Sequence, residues 1–389
     1  MFNAVLPLCD HTVHREKPIV CLAILFASSY DDGILQGRIS RLFEQMLATA
    51  LLQGRIASLE NLQGLLIYTA WMQYQPRPRK HTQNIFLAMS IIYDMRFHKP
   101  RELPIREENG LVFLTRGLAA DEVRALVGLY CVASCASVIL DKFRCFPTIP
   151  LLAESCEAMA QRAEHPTDPY LPQIVGLLRM IEDVDGLAKG TTPQQRDGTS
   201  AARISHLQYQ WQSLKKSLPA HAATSPFLRF QTRAAEFLLG EMSLPGSPFS
   251  LSEDPSTSLA ETISAVKSLM DTLLSAEPDQ ELFFTNLAWV TLGYGLSLGV
   301  KLDILCTTCG ISPATVIELR RSLDIAQTLR GLIERLRMSI SQHKDTDAES
   351  HPLFQFLSRA EAVESILVRK TWPPICRVRS CHIWEPAWS

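Results

Sequence analysis

Three short patterns place chemically able side chains at spacings that matter. Gly295-Leu296-Ser297-Leu298-Gly299 matches the Gly-x-Ser-x-Gly pattern. In a serine hydrolase those small residues let a strained strand-to-helix turn present the serine above a parallel sheet. Asp303 or Asp324, then His343 or His351, would follow Ser297 in hydrolase order. Cys306-Thr307-Thr308-Cys309 is a C-x-x-C pair. Such a pair exchanges electrons in a thioredoxin-like βαβ setting, or supplies half of a zinc site when two more ligands converge. The only later cysteines are Cys376 and Cys381, at an unusual spacing. Third, Arg77, Arg79, Lys80 and His81 read as a basic loop broken by Pro76 and Pro78, able to meet phosphates or a nuclear import receptor, or simply solvated. His11 and His14 form an H-x-x-H too common in loops to count, and no H-E-x-x-H, P-loop or dinucleotide-binding glycine pattern occurs.

Each chemistry needs a particular scaffold, and the hydrophobic periodicity offers helices instead. Leu35, Ile39, Leu42, Phe43, Met46, Leu47, Ala50 and Leu51 draw one apolar stripe along a helix over 34–52. Ser58 is placed to cap a helix carrying Leu62, Leu65, Leu66, Trp71 and Met72. Another follows with Ile85, Met89, Ile92 and Met95 on one side. After a loop around 99–117 the pattern predicts helices over 122–140, on both sides of Pro166-Thr167-Asp168 to about Val184, and over 201–218, 227–241, 259–274, 282–298, 313–341 and 353–368. The alternation of a strand is nearly missing. The fold class is therefore all-α, an array of eleven or twelve helices with little or no sheet. Leu-Gln-Gly occurs at Leu35, Leu52 and Leu62 without a fixed period, so no solenoid is expected. In that setting Ser297 belongs on a helix whose glycines admit a close neighbour, and catalytic, metal and cofactor residues are expected to be none.

The polar, glycine-containing stretch 185–200 is the expected linker or loop between segments 1–184 and 201–370, with 371–389 an irregular tail. Net charge is −2 with pI near 6.6 and no basic helical stripe, which lacks the electrostatic footprint of a DNA-binding domain. Ten cysteines in a chain of 389 residues are no disulfide framework. Cys21, Cys131, Cys135 and Cys156 sit among apolar neighbours, as reduced thiols of the cytosol or nucleus do. The run 17–29 has the apolar core of a signal peptide, but Asp10 and Glu16 stand where positive charge belongs, so a buried first helix is expected. The most apolar stretch, 282–300, carries Thr285, Asn286, Thr291, Tyr294 and Ser297, which suits a protein core better than lipid.

One resemblance is more specific than any of these motifs. In the run 58–100, Leu62, Gln63, Gly64, Leu65, Leu66, Tyr68, Ala70 and Trp71, then Ala88, Ile92, Asp94, Lys99 and Pro100, follow in order. The run resembles the middle homology region of fungal binuclear zinc-cluster transcription factors. The segments 15–43, 122–144 and 166–184 resemble further blocks of that region in the same order. The segment 287–305 resembles it more loosely.

The resemblance implies an all-helical regulatory domain in a nuclear transcription factor that controls RNA polymerase II transcription. In the family this region restrains or releases activation, in some members in response to a metabolite. DNA contact belongs to a separate N-terminal module, where six cysteines hold two zinc ions. This chain has no six-cysteine cluster, so no cysteine here inherits a zinc-ligand role. Either an upstream start or exon is missing, or the chain is a regulator that borrows a DNA-binding partner. The expected partners are the transcription machinery or such a partner protein, with a small-molecule effector at an unknown site, and neither DNA nor membrane bound directly. The alternatives are a serine hydrolase using Ser297 and a helical adaptor without a transcriptional role. The whole reading predicts a far-ultraviolet circular dichroism spectrum dominated by helix; a mainly β spectrum would overturn it.

Overall fold

Helices form where the apolar stripes call for them, and sequence-coded caps start several of them. The computed structural model describes residues 13–30, 32–72, 78–97, 101–107, 110–116, 118–141, 149, 151–190, 198–218, 225–245, 247, 255–277, 280–342 and 353–369. Among these it is all-α, apart from one two-stranded hairpin. The expected irregular tail 371–389 lies outside the described residues, as do Cys376, Cys381, His343 and His351. Two compact units are present, Met1–Ser134 with Cys145–Val175, and Cys135–Arg144 with Gly176–Ser389.

In the first unit, α1 (Pro18–Ser28), α2 (Gly33–Leu52), α3 (Leu59–Trp71) and α4 (Pro78–Asp94) follow one another. Asp32 caps α2 by accepting from the Leu35 amide at 2.8 Å, and Ser58 caps α3 by accepting from the Asn61 amide at 3.1 Å. Every residue of α3 from Asn61 to Ala70 is buried. An all-round buried helix needs a thin side, and Gly64 supplies it. A β-carbon there would stand 2.7 Å from Ile19 Cγ2 and 3.2 Å from the Ile19 carbonyl oxygen on α1. Tyr68 stacks on Phe43 at 4.4 Å between ring centres. Its hydroxyl lies 2.8 Å from Ser40 Oγ and donates to Glu44 Oε1 at 2.9 Å.

The expected basic loop is corrected here. Pro78 opens α4, so Arg79, Lys80 and His81 are helical. Lys80 pairs with Glu44 at 2.6 Å, and His81 is buried; Arg77 lies outside the described residues. The expected loop around 99–117 is also not a loop. β1 (Arg101–Glu107) and β2 (Gly110–Arg116) pair antiparallel, with Leu103 opposite Leu114 and Ile105 opposite Val112. The pairing closes with Glu107 opposite Gly110, and the turn-favouring Asn109-Gly110 dipeptide stands at that point of the sequence.

Within this unit α5 (Ala120–Val138) meets the turn that follows α6 (Leu151–Arg162) through Arg124, which pairs closely with Asp168 and more distantly with Glu164 at 3.9 Å. Asp168, 1% exposed, accepts from Arg124 Nε at 2.9 Å and Nη2 at 2.8 Å, and from the His165 amide at 2.9 Å. That is the structural role of the Pro166-Thr167-Asp168 sequence. The division between the units falls inside α5 and inside α7 (Leu171–Gly190). The expected linker 185–200 is helical over 185–190, where buried Asp185 closes an i,i+4 pair at 2.9 Å with the exposed Lys189 and Leu187 is buried. Residues 198–200 already belong to α8 (Gly198–Ser217), and 191–197 lie outside the described residues.

The second unit continues with α9 (Pro226–Ser243), α10 (Pro255–Leu274), α11 (Asn286–Thr308), α12 (Pro313–Leu323), α13 (Ile325–Gln342) and α14 (Phe354–Arg369). α11 is long and apolar enough to cross a bilayer, yet 72% of its most apolar window is buried inside the protein. It runs past the expected end at Leu298 to Thr308. The predicted helix 313–341 is two helices. Asp324, at φ +36°, ends α12 in the left-handed conformation that aspartate tolerates better than most side chains. Its neighbours Leu323 and Ile325 are both buried, so the chain turns while keeping its apolar contacts.

Burial alone would push the Asp168 carboxyl up, but hydrogen bonds from Arg124 and the His165 amide outweigh it and hold the group below the usual carboxylate range. The depressed pKa sets the sign: the contribution is complete above the unfolded value near pH 4 and is lost as pH falls through the folded one. Arg124→Ala strands a buried carboxylate and should cost about 3–5 kcal/mol at neutral pH, with the deficit shrinking in acid. Urea unfolding of both proteins from pH 7 to pH 3 checks it; a constant difference would remove the clamp from the account.

Candidate functional site

The sequence motifs come together on one helix, where the scaffold decides what they can do. Ser297 lies in the middle of α11, is buried, and donates to the Gly293 carbonyl one turn back at 3.0 Å. That is intrahelical bonding of a core serine, without the strand-to-helix turn of a nucleophile elbow. The flanking glycines serve packing. β-Carbons at Gly295 and Gly299 would stand 2.7 Å from Leu269 Cδ2 on α10 and 2.8 Å from Ile325 Cδ1 on α13. Asp303 is bound to Arg320, and Asp324 caps helices, so neither is aimed at Ser297 as a triad member.

The C-x-x-C pair occupies the last turn of the same helix. Cys306 is buried, and burial, helped by Cys309 and Asp303, pushes its thiol up to about 11. Cys309 is half-buried, closes the helix as its C-cap, and donates its thiol to the Leu305 carbonyl. Neither thiol is poised as a thiolate. Among the described residues no group of three or more His, Cys, Asp or Glu converges for a metal ion.

Beside this turn lies the feature with the shape of a binding site. A cavity of 680 Å³ opens where α11, the α12–α13 corner and α14 meet. Val300, Ile304, Ile325 and Leu367 give it an apolar lining, and Arg320 and Arg321 stand in the last turn of α12 at its edge. Arg320 binds Asp303 in a two-pronged pair, Nε to Oδ1 at 2.7 Å and Nη2 to Oδ2 at 3.0 Å. The hydrogen bond to Asp303 raises the Arg320 pKa against a smaller effect of burial, which fixes its charge. Arg321 is exposed and has no ion pair among the described residues. The volume is in the range of drug-sized ligand sites. The arrangement can bind, and holds no nucleophile–base pair.

A second cavity of 540 Å³ lies among α8, α9 and α10, beside Trp211, Lys215, Arg233, Glu236 and Glu261. Glu236 already takes Lys215 at 2.8 Å and Arg233, and Lys215 sits 5.9 Å above the Trp211 ring. Both cations are thereby engaged by the one Glu236 carboxylate.

Sequence reasoning assigned no effector residues. The Arg320–Asp303 pair joins positions 17 apart on different helices, which no local spacing signals. The left-handed residue at Asp324 was equally hidden inside an apolar pattern that continues on both sides. The one usable cue was the cluster Arg320-Arg321-x-x-Asp324 at a helix end.

The glycine contacts separate a tolerant position from an intolerant one. Gly299→Ala presses on the flexible tip of Ile325 and meets Val266 Cγ1 at an ordinary 3.4 Å, and the helix-propensity gain of about 1 kcal/mol offsets the shift, so its stability should stay within about 1 kcal/mol of the parent. Gly64→Ala meets the Ile19 backbone and should cost about 1–3 kcal/mol. Chemical denaturation ranks them; equal costs would refute the packing assignment.

The chain is similar to a known protein, the transcription factor himD of Aspergillus japonicus, with 28% identity over 375 residues. The match covers 92% of this chain and 62% of that protein, so the chain spans less than two thirds of its relative's length. No family model and no solved structure matches the chain.

Proposed function

We propose that the chain is the helical regulatory domain of a fungal transcription factor, acting in the nucleus on RNA polymerase II transcription. The observation that carries this reading is the similarity to a fungal transcription factor along 92% of the chain. The ordered blocks around Leu62–Trp71 and Pro166–Asp168 agree with it, and both prove to be framework: one is the buried helix α3, the other the Arg124–Asp168 clamp. In this reading segments 1–184 and 201–370 are the two halves of one regulatory domain. Neither zinc nor DNA is held by these residues; both belong to a separate module, in the same protein or in a partner.

Such a domain works by arrangement instead of reaction. The buried α11 serine and the raised Cys306 thiol offer no chemistry, while the helices around α3 and α11 have many interlocked contacts that a partner or effector can bias. An effector would have to bind one arrangement better than another.

Fusing the chain to an unrelated DNA-binding module and measuring a reporter tests the reading. Output should rise or fall relative to the module alone, and Gly64→Leu, which breaks the α1–α3 contact, should abolish the difference. Output that never departs from the module alone would sink the regulatory role. Exclusively cytosolic protein without chromatin association would favour the adaptor instead. A fluorophosphonate probe should leave Ser297 unlabelled; labelling lost in Ser297→Ala would revive the hydrolase.

A further inference from the structure

The cavity at the α12–α13 corner has one chemical character on its walls and another at its edge. Val300, Ile304, Ile325 and Leu367 offer hydrocarbon, and no charged group stands among those four positions. The edge carries Arg320 and Arg321 on consecutive positions, with Asp303 facing only the first of them. Asp324, the other acid at the edge, is engaged in ending α12 and in accepting from the Gln327 amide of α13 at 3.4 Å. Among the described residues the cation of this cavity without a partner is therefore Arg321, with Arg320 in reserve behind a single carboxylate.

We infer that this cavity binds an amphipathic organic anion, with an apolar body against the α11, α13 and α14 walls and one acidic group at Arg321 and Arg320. A neutral apolar ligand would leave Arg321 as it is, and a cationic one would find Asp303 already bound to Arg320 and Asp324 engaged at the start of α13, with Arg321 repelling it. An anion gains from Arg321 directly and competes with Asp303 for Arg320. At 680 Å³ the space accepts a chain of ten carbons or a pair of fused rings with room to spare.

The position also gives the ligand something to report. Arg320 and Arg321 close α12, Ile325 and Ala326 open α13, and the left-handed Asp324 is the joint between them. A ligand touching both sides spans that joint, so its affinity depends on the corner angle, and occupancy biases the angle in return. Calling the ligand an effector rests on the regulatory reading above; its binding does not.

The test uses the full chain and 1-anilinonaphthalene-8-sulfonate, an apolar double ring with a single acidic group. Saturable fluorescence enhancement should be displaced by decanoate more readily than by decanol, and least by decylammonium. Ala326→Trp, an exposed position on the cavity wall, should abolish the enhancement while the helical dichroism is unchanged. Arg321→Gln should weaken decanoate about two- to fivefold, the range of an exposed charge contact. Asp303→Asn removes the competing carboxylate and should strengthen decanoate but not decanol, a selective gain that the unspecific apolar surface of a loosened fold would not give. Decylammonium displacing as well as decanoate, enhancement surviving in Ala326→Trp, or no gain in Asp303→Asn would each overturn the site. The reporter is read separately: anion binding that follows these rules, in a chain that never alters reporter output, would end the regulatory reading and leave the site standing.

Discussion

Each compact unit is organised by a helix that has no wet face. In the first it is α3, buried at every position from Asn61 to Ala70; in the second it is α11, buried almost continuously from Asn286 to Val300. A surface helix can absorb an awkward residue on its outer side, whereas a helix enclosed on all sides must solve every position. Each buried leucine contributes about 1.5–3 kcal/mol, so the enclosure is strongly favourable, but it imposes two costs. Neighbouring helices must approach closely, which requires Gly64 against the Ile19 backbone and is eased by Gly295 and Gly299 against the side-chain tips of Leu269 and Ile325. Every polar group inside must find a partner without water.

Both helices meet most of the second requirement in the same way, while Gln63 Oε1 on α3 and the Asn286 amide and Trp289 Nε1 on α11 have no hydrogen-bond partner among the described residues. Thr69 donates to the Leu65 carbonyl at 2.7 Å, Thr291 to Leu287 at 2.8 Å and Ser297 to Gly293 at 3.0 Å, each within its own helix. Each helix also carries one tyrosine whose ring joins the aromatic core and whose hydroxyl donates to a glutamate, Tyr68 to Glu44 and Tyr294 to Glu241. Lysines then balance the glutamates, Lys80 at 2.6 Å and Lys301 at 3.2 Å. The buried ion pairs do similar work where loops join helices. Arg335 binds Glu281, 1% exposed, and also the Ala276 carbonyl at 2.7 Å, which ties α13 to the segment that follows α10. Removing one partner of such a pair is far more damaging than the pair is stabilising, so these contacts act chiefly as constraints on register.

The same constraint explains what could be read from the residues alone. α2, with Ile39, Phe43 and Leu47 buried and Leu42 exposed, is a half-wet helix, and its stripe gave its bounds almost to the residue. Ser58 was legible because a cap is a local hydrogen bond with one predictable partner. The corner at Asp324 was not, since the apolar period runs through it and only the backbone angle changes. The hairpin was obscured for the opposite reason: its two runs are short, Pro104 interrupts the first, and the Asn-Gly signal carries the assignment almost alone. Lys80 and His81 misled because composition describes charge but not the helix start at Pro78 that turns them toward Glu44 and the core. The cavity lay beyond local reading altogether, being assembled from α11, α12, α13 and α14.

An enclosed helix also limits where a function can reside. Gly295, Ser297 and Gly299 look like catalytic punctuation in one dimension, but in three they are spacers that let α10 and α13 close on α11. The freedom such a unit retains lies at its edges, where α11 emerges with Asp303, Ile304 and Thr307 and where the chain reverses at Asp324. There the contacts are partly ionic, and the joint is a single residue in a conformation that costs free energy. A change of angle at that joint moves Ile325, and Ile325 is the residue that rests on Gly299. Edge and core are thus connected by a close contact, and a change at the corner reaches the buried helix through the Ile325 side chain that rests on Gly299.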